Sequence, residues 1–170
     1  RDAQESRGLG DVYKRQARYH QLFTQAGLDR ILGLPQAHPR GRHVWNQYVI
    51  RVPDGQRDAL RAYLAEAKIG TEIYYPLGLH QQECFQFLGY RPGDLPETER
   101  AAQEVLALPI FPELTPAEQE RVSATITAFY RWRASSDARP PITASIPPPK
   151  FLQSSLAAPN PAVPVRRQAE

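Results

Sequence analysis

The stretch from Gly70 to Tyr90, GTEIYYPLGLHQQECFQFLGY, holds the side chains best suited to binding a polar ligand. Tyr74 and Tyr75 are adjacent at the end of a predicted strand, so their side chains should point to opposite faces. We therefore expect one tyrosine in the core and the other available to a ligand. His80, at the exposed start of a predicted short helix, adds an imidazole that donates and accepts hydrogen bonds. Composition alone favours a purely structural role for all three side chains.

The other motifs offer little chemistry. The chain contains none of the glycine-rich phosphate-binding motifs and no nucleophile elbow. His80 and Cys84 are four residues apart and would share a helix face, but two ligands are only half of a zinc site. A Schiff-base lysine must be buried to keep an uncharged amine near neutral pH, and Lys14, Lys68 and Lys150 all lie at positions predicted to be exposed. The sequence therefore predicts no catalytic residue, no metal ligand and no cofactor ligand.

These side chains must be positioned by a predicted α+β layer, a small sheet with helices on one side. Apolar residues at helical spacing indicate the helices, and β-branched and aromatic runs between turn residues indicate the strands. The predicted order is helix (19–26), strand (43–52), helix (60–67), strand (71–75), helix (81–88), helix (94–106), strand (108–111) and helix (115–129). Gly27, Gly70 and Gly89 are predicted to end helices.

Two helix starts carry a capping pattern, in which a side-chain oxygen accepts a backbone N–H and a Glu three residues later reaches back. The first pairs Asp94 with Glu97. The second pairs Thr115 with Glu118 and adds proline at the first helical position. It is the best local signal in the chain, and it predicts a last helix that buries Val122, Ile126 and Phe129.

The composition of the 170-residue chain excludes several classes of protein. With 41% hydrophobic and 23% charged residues it is globular, and no apolar run approaches the roughly 18 residues of a membrane helix. A single cysteine excludes a disulfide framework and fits a reducing, cytoplasmic compartment. The net charge of +3 comes from residues 131–170, which hold six basic and two acidic residues. The remainder is nearly neutral, so we expect no nucleic-acid partner.

Proline and methionine usage bears on domain organisation. Eight of the 17 prolines lie beyond Trp132, which predicts a disordered tail over residues 132–170. Residues 1–16 are polar with no helical or strand period, and we expect a disordered or non-native leader there. The compact domain is then expected over residues 17–131. Because the chain contains no methionine at all, we expect it to be a fragment of a longer protein.

Several motifs occur together between Ala17 and Tyr130. They are HVWNQYVIRV, GTEIYYPLGLH and FLGYRPGDLPETERAAQEVLALPIFPELTPAE. In this order and at this spacing, they resemble the C-terminal region of the DegT/DnrJ/EryC1/StrS sugar aminotransferases. The resemblance implies the C-terminal domain of the aspartate aminotransferase fold, which is fold type I of the pyridoxal-phosphate enzymes.

The resemblance also implies what the parent enzyme does. It would be a homodimer that uses pyridoxal phosphate to move an amino group from glutamate to a keto group of a nucleotide-linked sugar, for polysaccharide or glycan biosynthesis. The cofactor lysine of the family lies in the large N-terminal domain, so this chain alone is expected to hold no cofactor and to be inactive.

The resemblance implies substrate-side contacts by Tyr74, Tyr75 and His80. Asn46 is added because an asparagine inside a strand is costly unless its amide is paired. The family often has histidine where this chain has Tyr74 and proline where it has Gly78, which bears on sugar specificity. The competing interpretation is a stand-alone α+β binding or regulatory module without catalysis. The coding sequence upstream of Ala17 distinguishes the two, because an open frame with a buried, strand-flanked lysine indicates the enzyme and a start codon near Ala17 indicates the module.

Overall fold

The computed structural model describes residues 2–41 and 43–135. Its helices are α1 (Asp2–Gln25), α2 (Arg57–Glu66), α3 (Pro96–Glu104) and α4 (Pro116–Ala134), and its strands are β1 (Tyr48–Arg51) and β2 (Val105–Leu108). Short 3-10 helices span Leu28–Arg30, Leu79–Gln81 and Glu83–Leu88. Within the described ranges, no helix has the length and apolar character needed to cross a membrane. The predicted α+β class is confirmed.

β1 and β2 form a two-stranded antiparallel sheet, in which Tyr48 pairs with Leu108 and Ile50 with Leu106. Both strands are built from the β-branched, aromatic and aliphatic residues that fit a pleated, half-buried surface. Tyr48 and Ile50 are buried and alternate with half-buried neighbours. A lone two-stranded ribbon is marginal in water, so this sheet depends on the helices packed against it.

The core joins the sheet to α1, α2 and α4, and its centre is aromatic. Tyr19 stacks on Phe23 with ring centroids 5.6 Å apart and lies 5.0 Å from the ring of Tyr48. Phe129 of α4 lies 5.6 Å from Tyr63 of α2. The aliphatic part of the core comprises Leu28, Leu32, Ile50, Val52, Leu60, Leu64, Leu106, Leu108, Leu114, Val122 and Ile126. The apolar face predicted for the last helix is therefore confirmed.

α1 begins earlier than the sequence indicated. The apolar pattern shows no helical period before Ala17, yet α1 starts at Asp2. Arg15 Nε donates to the carbonyl of Leu114 (2.6 Å), and the side-chain amide of Gln119 donates to the carbonyl of Arg15 (2.8 Å). These contacts are made by polar groups, which a search for apolar periodicity does not detect.

At the other end, α4 continues through the predicted tail boundary to Ala134, and Trp132 packs against the core. The tail beyond Ser135 lies outside the described residues. The division into residues 1–16, 17–131 and 132–170 stays a prediction.

Only the second half of the predicted strand 43–52 pairs in the sheet. Trp45 has a φ of +53°, in the left-handed region that bulky residues rarely adopt. Its N–H donates to Nδ1 of His43 (2.9 Å), and the two rings lie 4.0 Å apart. This local turn takes the Trp45 N–H out of any strand ladder, so β1 begins at Tyr48.

The other two predicted strands are also shorter or displaced. The strand expected at 71–75 is a single antiparallel bridge, in which Glu72 and Ala107 exchange hydrogen bonds of 3.1 and 2.8 Å. The strand expected at 108–111 is β2, which directly follows α3 and ends at Leu108. Pro109 has no N–H to donate to a ladder, which explains why the strand stops there.

The helix starts agree with the sequence in one case and not in the other. At α4, Thr115 Oγ1 accepts the N–H of Glu118 (3.2 Å), and the Thr115 N–H donates to Glu118 Oε2 (2.8 Å), so the capping box is confirmed. The cap predicted at Asp94 is wrong, because α3 begins at Pro96. Asp94 instead accepts the N–H of Arg91 (2.8 Å) within the preceding turn.

The helix ends also agree with the sequence prediction in some cases and not in others. Gly27 lies two residues after the end of α1 and has a φ of +71°, and Gly89 directly follows the 3-10 helix Glu83–Leu88 and has a φ of +75°, as predicted. α2 ends before Gly70, because Lys68 takes the left-handed conformation with a φ of +58° and donates its N–H to the carbonyl of Ala65 (2.9 Å). Glycine is therefore not the residue that ends α2.

Candidate functional site

The stretch between the Glu72 bridge and α3, which we call the Tyr74–Leu95 segment, concentrates exposed apolar side chains. It contains two short 3-10 helices and no strand. Its exposed large side chains are Tyr74, Tyr75, Leu77, Leu79, Phe87, Leu88, Tyr90 and Leu95. Phe87 is 80% exposed and Tyr75 is 71% exposed. Exposed apolar surface at this density is typical of a binding surface or an interface, so this segment is the candidate functional site.

His80 and the neighbouring Gly78 are the buried residues of the segment, and His80 is 7% exposed. Its Nε2 lies 3.1 Å from Oε1 of Glu99 in α3. An ionised carboxylate only accepts hydrogen bonds, so Nε2 must carry the proton. The His80 ring also meets the ring of Tyr90 edge-on, at a centroid distance of 5.8 Å. The expectation that His80 marks an exposed helix start is therefore wrong.

Glu99 holds a second part of the segment as well. The N–H of Gly93 donates to both carboxylate oxygens, at 2.8 and 3.0 Å. The hydrogen bond from the Gly93 N–H, and to a smaller extent the one from His80, hold the pKa of the Glu99 carboxyl below its usual range. Sequence reasoning gave Glu99 no role, because its partner His80 is 19 positions away. The available signal was an acidic residue in the first turn of α3, close to a glycine-containing turn.

Gly78 provides the space that His80 occupies. A Cβ at Gly78 would lie 2.7 Å from Cε1 and 2.8 Å from Nδ1 of the His80 ring, well inside van der Waals contact. The φ of Gly78 is −61°, which any residue adopts, so space rather than backbone freedom requires glycine here. We call Gly78, His80, Gly93 and Glu99 the His80–Glu99 cluster.

Tyr74 and Tyr75 are both exposed, so the expectation that one of them is buried is wrong. The reason is that the chain leaves the sheet after the Glu72 bridge, and the alternation of a strand does not extend to these residues. Both tyrosines and His80 belong to the Tyr74–Leu95 segment, and the structure leaves the tyrosines exposed and His80 buried. Their role as substrate contacts stays a prediction.

Asn46 lies elsewhere, in the loop between Trp45 and β1, and it is exposed. Because it is not inside a strand, the argument from a costly buried amide does not apply to it. Its substrate role also stays a prediction.

The side chains of His80 and Cys84 do not form the half of a zinc site that their spacing would allow. The His80 Nε2 is hydrogen-bonded to Glu99, and the exposed Cys84 thiol lies 3.9 Å from Oε1 of Gln82. Over residues 13–41 and 43–135, whose side chains the structure describes, no group of three or more His, Cys, Asp or Glu side chains is arranged to hold a metal ion.

The sequence profile of the DegT/DnrJ/EryC1/StrS aminotransferase family matches residues 11–127. This range contains the sheet, the Tyr74–Leu95 segment, the His80–Glu99 cluster and most of α4. The chain belongs to this family. The match begins inside the predicted leader, at residue 11, which agrees with the participation of Arg15 in the fold.

Two curated members of the family are clearly similar in sequence. A protein named pleiotropic regulatory protein, from Geobacillus stearothermophilus, is 46% identical over 118 residues, which are 69% of this chain and 31% of that protein. The dTDP-3-amino-3,6-dideoxy-alpha-D-galactopyranose transaminase of Aneurinibacillus thermoaerophilus is 34% identical over 121 residues, which are 71% of this chain and 32% of the transaminase.

A solved family member has the same fold. The crystal structure of S. venezuelae DesV in complex with a ketimine intermediate aligns with a TM-score of 0.66 and 30% identity, over 76% of this chain and 33% of DesV. The present chain thus spans about a third of the length of these relatives.

The described residues do not fit the pyridoxal phosphate that membership of the DegT family implies. The cofactor needs a buried lysine amine, and Lys14 and Lys68 are both exposed. Lys150 lies outside the described residues. The chemistry available to this part of the chain is therefore hydrogen bonding and apolar contact by the Tyr74–Leu95 segment.

Proposed function

We propose that this chain is part of an aminotransferase that acts on a nucleotide-linked keto-sugar, and that it supplies the wall of the active site facing the sugar nucleotide. The family match over residues 11–127 supports the reaction class. The relative from Aneurinibacillus thermoaerophilus, which bears the name of a dTDP-aminosugar transaminase, supports the substrate class.

The observation that carries the proposal is the exposure of Tyr74 and Tyr75 beside a buried, fixed His80. Two phenol hydroxyls on a well-anchored segment suit a sugar nucleotide, because its hydroxyls and phosphates both donate or accept hydrogen bonds. The exposed rings also provide flat apolar faces for a base or a sugar ring. Asn46, an exposed amide on a separate loop, is a second proposed contact.

The remaining properties of the parent enzyme belong to the same proposal. Its amino donor is glutamate, its cofactor is pyridoxal phosphate bound by a part of the protein other than this chain, and it works as a cytoplasmic homodimer. Its product feeds polysaccharide or glycan biosynthesis. On its own this chain is inactive, since its described lysines are exposed.

The test is the change of Tyr75 to Phe in the full-length protein that contains this chain. Loss of one hydrogen bond to the sugar nucleotide should cost about 1–3 kcal/mol, which lowers kcat/KM for that substrate by roughly five- to 150-fold. The glutamate half-reaction and the melting temperature should stay unchanged, because only an exposed hydroxyl is removed. Stopped-flow measurement of each half-reaction gives both constants.

Tyr48→Phe is the matched control, since it removes a hydroxyl that is buried in the core and has no hydrogen-bond partner among the described residues. It should leave both half-reactions unchanged. If Tyr75→Phe behaves like this control, Tyr75 makes no sugar-nucleotide contact. Equal loss in both half-reactions would place Tyr75 at the cofactor, against the proposal.

A second candidate is a stand-alone regulatory module. The name of the Geobacillus relative, pleiotropic regulatory protein, supports the regulatory role, and the match covers 31% of that protein. This candidate predicts that a protein beginning near Ala17 is made in the cell without a larger N-terminal domain. The coding sequence upstream decides between the two candidates. A frame that continues upstream and encodes a buried lysine supports the enzyme, and a start codon near Ala17 supports the module.

A further inference from the structure

Glu99 ties the Tyr74–Leu95 segment to a helix. In the described part of the chain, the hydrogen bonds from this segment to the side chains of α3 all end on Glu99. One comes from the His80 side chain and the others come from the Gly93 backbone, so the carboxylate joins two places that are 13 positions apart in sequence. α3 is itself anchored, since Ala102 is buried and the helix packs against β1.

Through its hydrogen bond to Glu99, His80 connects α3 to the part of the segment that contains the two tyrosines. Its ring is held by the Glu99 carboxylate at Nε2 and by the edge-on Tyr90 ring, and it lies in the space that the missing side chain of Gly78 leaves free. Gly78 follows Tyr75 by three residues, and its N–H donates to Oε1 of Gln81 (3.2 Å) in the next turn. Because the His80 ring is held in place, the turn at residues 78–81 is held as well. This turn determines the path of the chain just after Tyr74 and Tyr75.

The rest of the segment has little else to hold it. Its large apolar side chains are mainly exposed, and its regular structure is limited to two short 3-10 helices. Without burial, a loop of this kind keeps a single conformation only through specific polar contacts. The same hydrogen bonds, from Gly93 and His80, lower the pKa of the Glu99 carboxyl, which is consistent with its role as a charged acceptor.

We propose that Glu99 is a positioning residue for sugar-nucleotide binding: through His80 and Gly93 it holds the Tyr74–Leu95 segment in the conformation that presents Tyr74 and Tyr75. This inference rests on the proposed function, because it assigns the two tyrosines to the sugar nucleotide. Glu99 itself touches no substrate in this scheme.

Two variants test it in the full-length protein. Glu99→Ala removes the side-chain hydrogen bonds to His80 and Gly93. Glu99→Gln keeps the size and one acceptor oxygen but turns an N–H₂ toward the Gly93 N–H. Glu97→Ala is the matched control. It lies on the same helix two positions earlier, its side chain is 76% exposed, and its described partner is Arg100. Thr115→Ala is a second control, because it weakens the fold at the start of α4, away from the segment.

We expect Glu99→Ala to lower kcat/KM for the sugar nucleotide by roughly tenfold or more, and Glu99→Gln to give an intermediate loss. The glutamate half-reaction should be unchanged in both. Hydrogen exchange of the Gly93 amide and of residues 78–90 should become faster, and the His80 ring ¹⁵N signals should lose the fixed Nε2–H tautomer. Glu97→Ala and Thr115→Ala should match the wild type in both half-reactions.

The outcomes separate the inference from the proposed function. If Tyr75→Phe lowers kcat/KM for the sugar nucleotide and the Glu99 variants match Glu97→Ala, the positioning role is overturned while the proposed function stands. If neither Tyr75→Phe nor the Glu99 variants affect it, the proposed function itself fails and the inference falls with it. Should Glu99→Ala fail to fold, Glu99→Gln decides by the same measurements, and a loss equal in both half-reactions would overturn the inference.

Discussion

Two buried tyrosine hydroxyls in the aromatic core have opposite hydrogen-bond status. The Tyr19 hydroxyl donates to the carbonyl of Pro109 (2.9 Å), whereas the Tyr48 hydroxyl has no partner among the described residues. Burial is the main reason that the pKa of each phenol is raised well above its ordinary value. Type and spacing identified Tyr19 as a core residue, but only the fold shows which hydroxyl is paired.

Replacing each of these tyrosines by phenylalanine should therefore give opposite results. Tyr19→Phe leaves the Pro109 carbonyl without its donor and should destabilise the chain by about 0.5–1.5 kcal/mol. Tyr48→Phe removes a hydroxyl that was desolvated without compensation, so it should be neutral or stabilising. Urea unfolding of both variants gives the comparison. A larger loss for Tyr48→Phe than for Tyr19→Phe would contradict this account of the core.

Gly78 gives a second prediction for a single residue. Gly78→Ala should push the His80 ring off Glu99, because the new Cβ would lie under 3 Å from two atoms of a ring that is buried and held on its far side. We expect a loss of about 1–3 kcal/mol, as for other overpacked sites. Chemical unfolding and the His80 ring signals in NMR spectra measure the two effects.

The control is Gly41→Ala, where the nearest atoms to a new Cβ are at an ordinary 3.8 Å. This variant should be neutral or gain about 0.4–1 kcal/mol through the less flexible unfolded chain. Equal stability of the two alanine variants would mean that the approach of His80 to Gly78 is not the tight contact described above.

Residue types found the exposed tyrosines, but they did not find the His80–Glu99 cluster. Tyr74, Tyr75 and His80 were identified because hydroxyls and an imidazole in one short stretch suit a polar ligand. Glu99 was not, since its role depends on α3 folding back to a residue 19 positions earlier. Pairings at this distance have no local signature in a single sequence.

Among the elements, α4 shows how far local signals reach. Thr115, Pro116 and Glu118 predicted its first turn, and each of the expected contacts is present. By contrast, the first half of the strand predicted at 43–52 does not pair, because the chain forms a turn at His43 and Trp45. β-propensity reports a fit to a pleated surface, and it does not show where a side chain will capture a backbone N–H instead.

The capping box predicts the effect of Thr115→Ala. The N–H of Glu118 would lose its acceptor at the start of a 19-residue helix that supplies Val122, Ile126 and Phe129 to the core. The expected cost is about 1 kcal/mol, within the range of 0.5–2 kcal/mol for lost N-caps. Thermal unfolding followed by circular dichroism should show a lower Tm.

Thr24→Ala is the matched control for the cap. Thr24 is exposed within α1 and starts no helix, so alanine there should be neutral or slightly stabilising through its higher helix propensity. A Tm for Thr115→Ala equal to that of Thr24→Ala would show that the cap contributes nothing to stability.

At the scale of the whole molecule, the exposed lysines decide what the chain can do alone. Incubated with pyridoxal phosphate and reduced with borohydride, the 170-residue chain should show only weak labelling spread over several lysines. A solvated ammonium stays protonated near neutral pH and forms a Schiff base poorly. Peptide mass spectrometry locates the labelled residues. Stoichiometric labelling of Lys68 would contradict the conclusion that the described residues do not fit the cofactor.

The α+β class and most of the helices followed from periodicity, because the apolar faces of α2 and α4 have to be buried somewhere. The long-range contacts that join the early and late parts of the chain could not be predicted from periodicity. α1 is held against the later part of the chain by Arg15, Leu114 and Gln119, and the sheet pairs β1 with a strand that starts more than 50 residues later. Contacts of this range depend on how the elements pack and not on the pattern within any one of them.

The distance in sequence between Arg15 and Leu114, 99 positions, has a consequence for synthesis of the protein in the cell. At roughly 5–20 residues per second, Arg15 is translated about 5–20 seconds before Leu114. For most of that interval Tyr19 and Phe23, which are fully buried in the finished fold, lack α4, and β1 lacks β2, its partner strand. A nascent chain in this state presents an apolar helix face, which is the kind of surface that ribosome-associated chaperones cover.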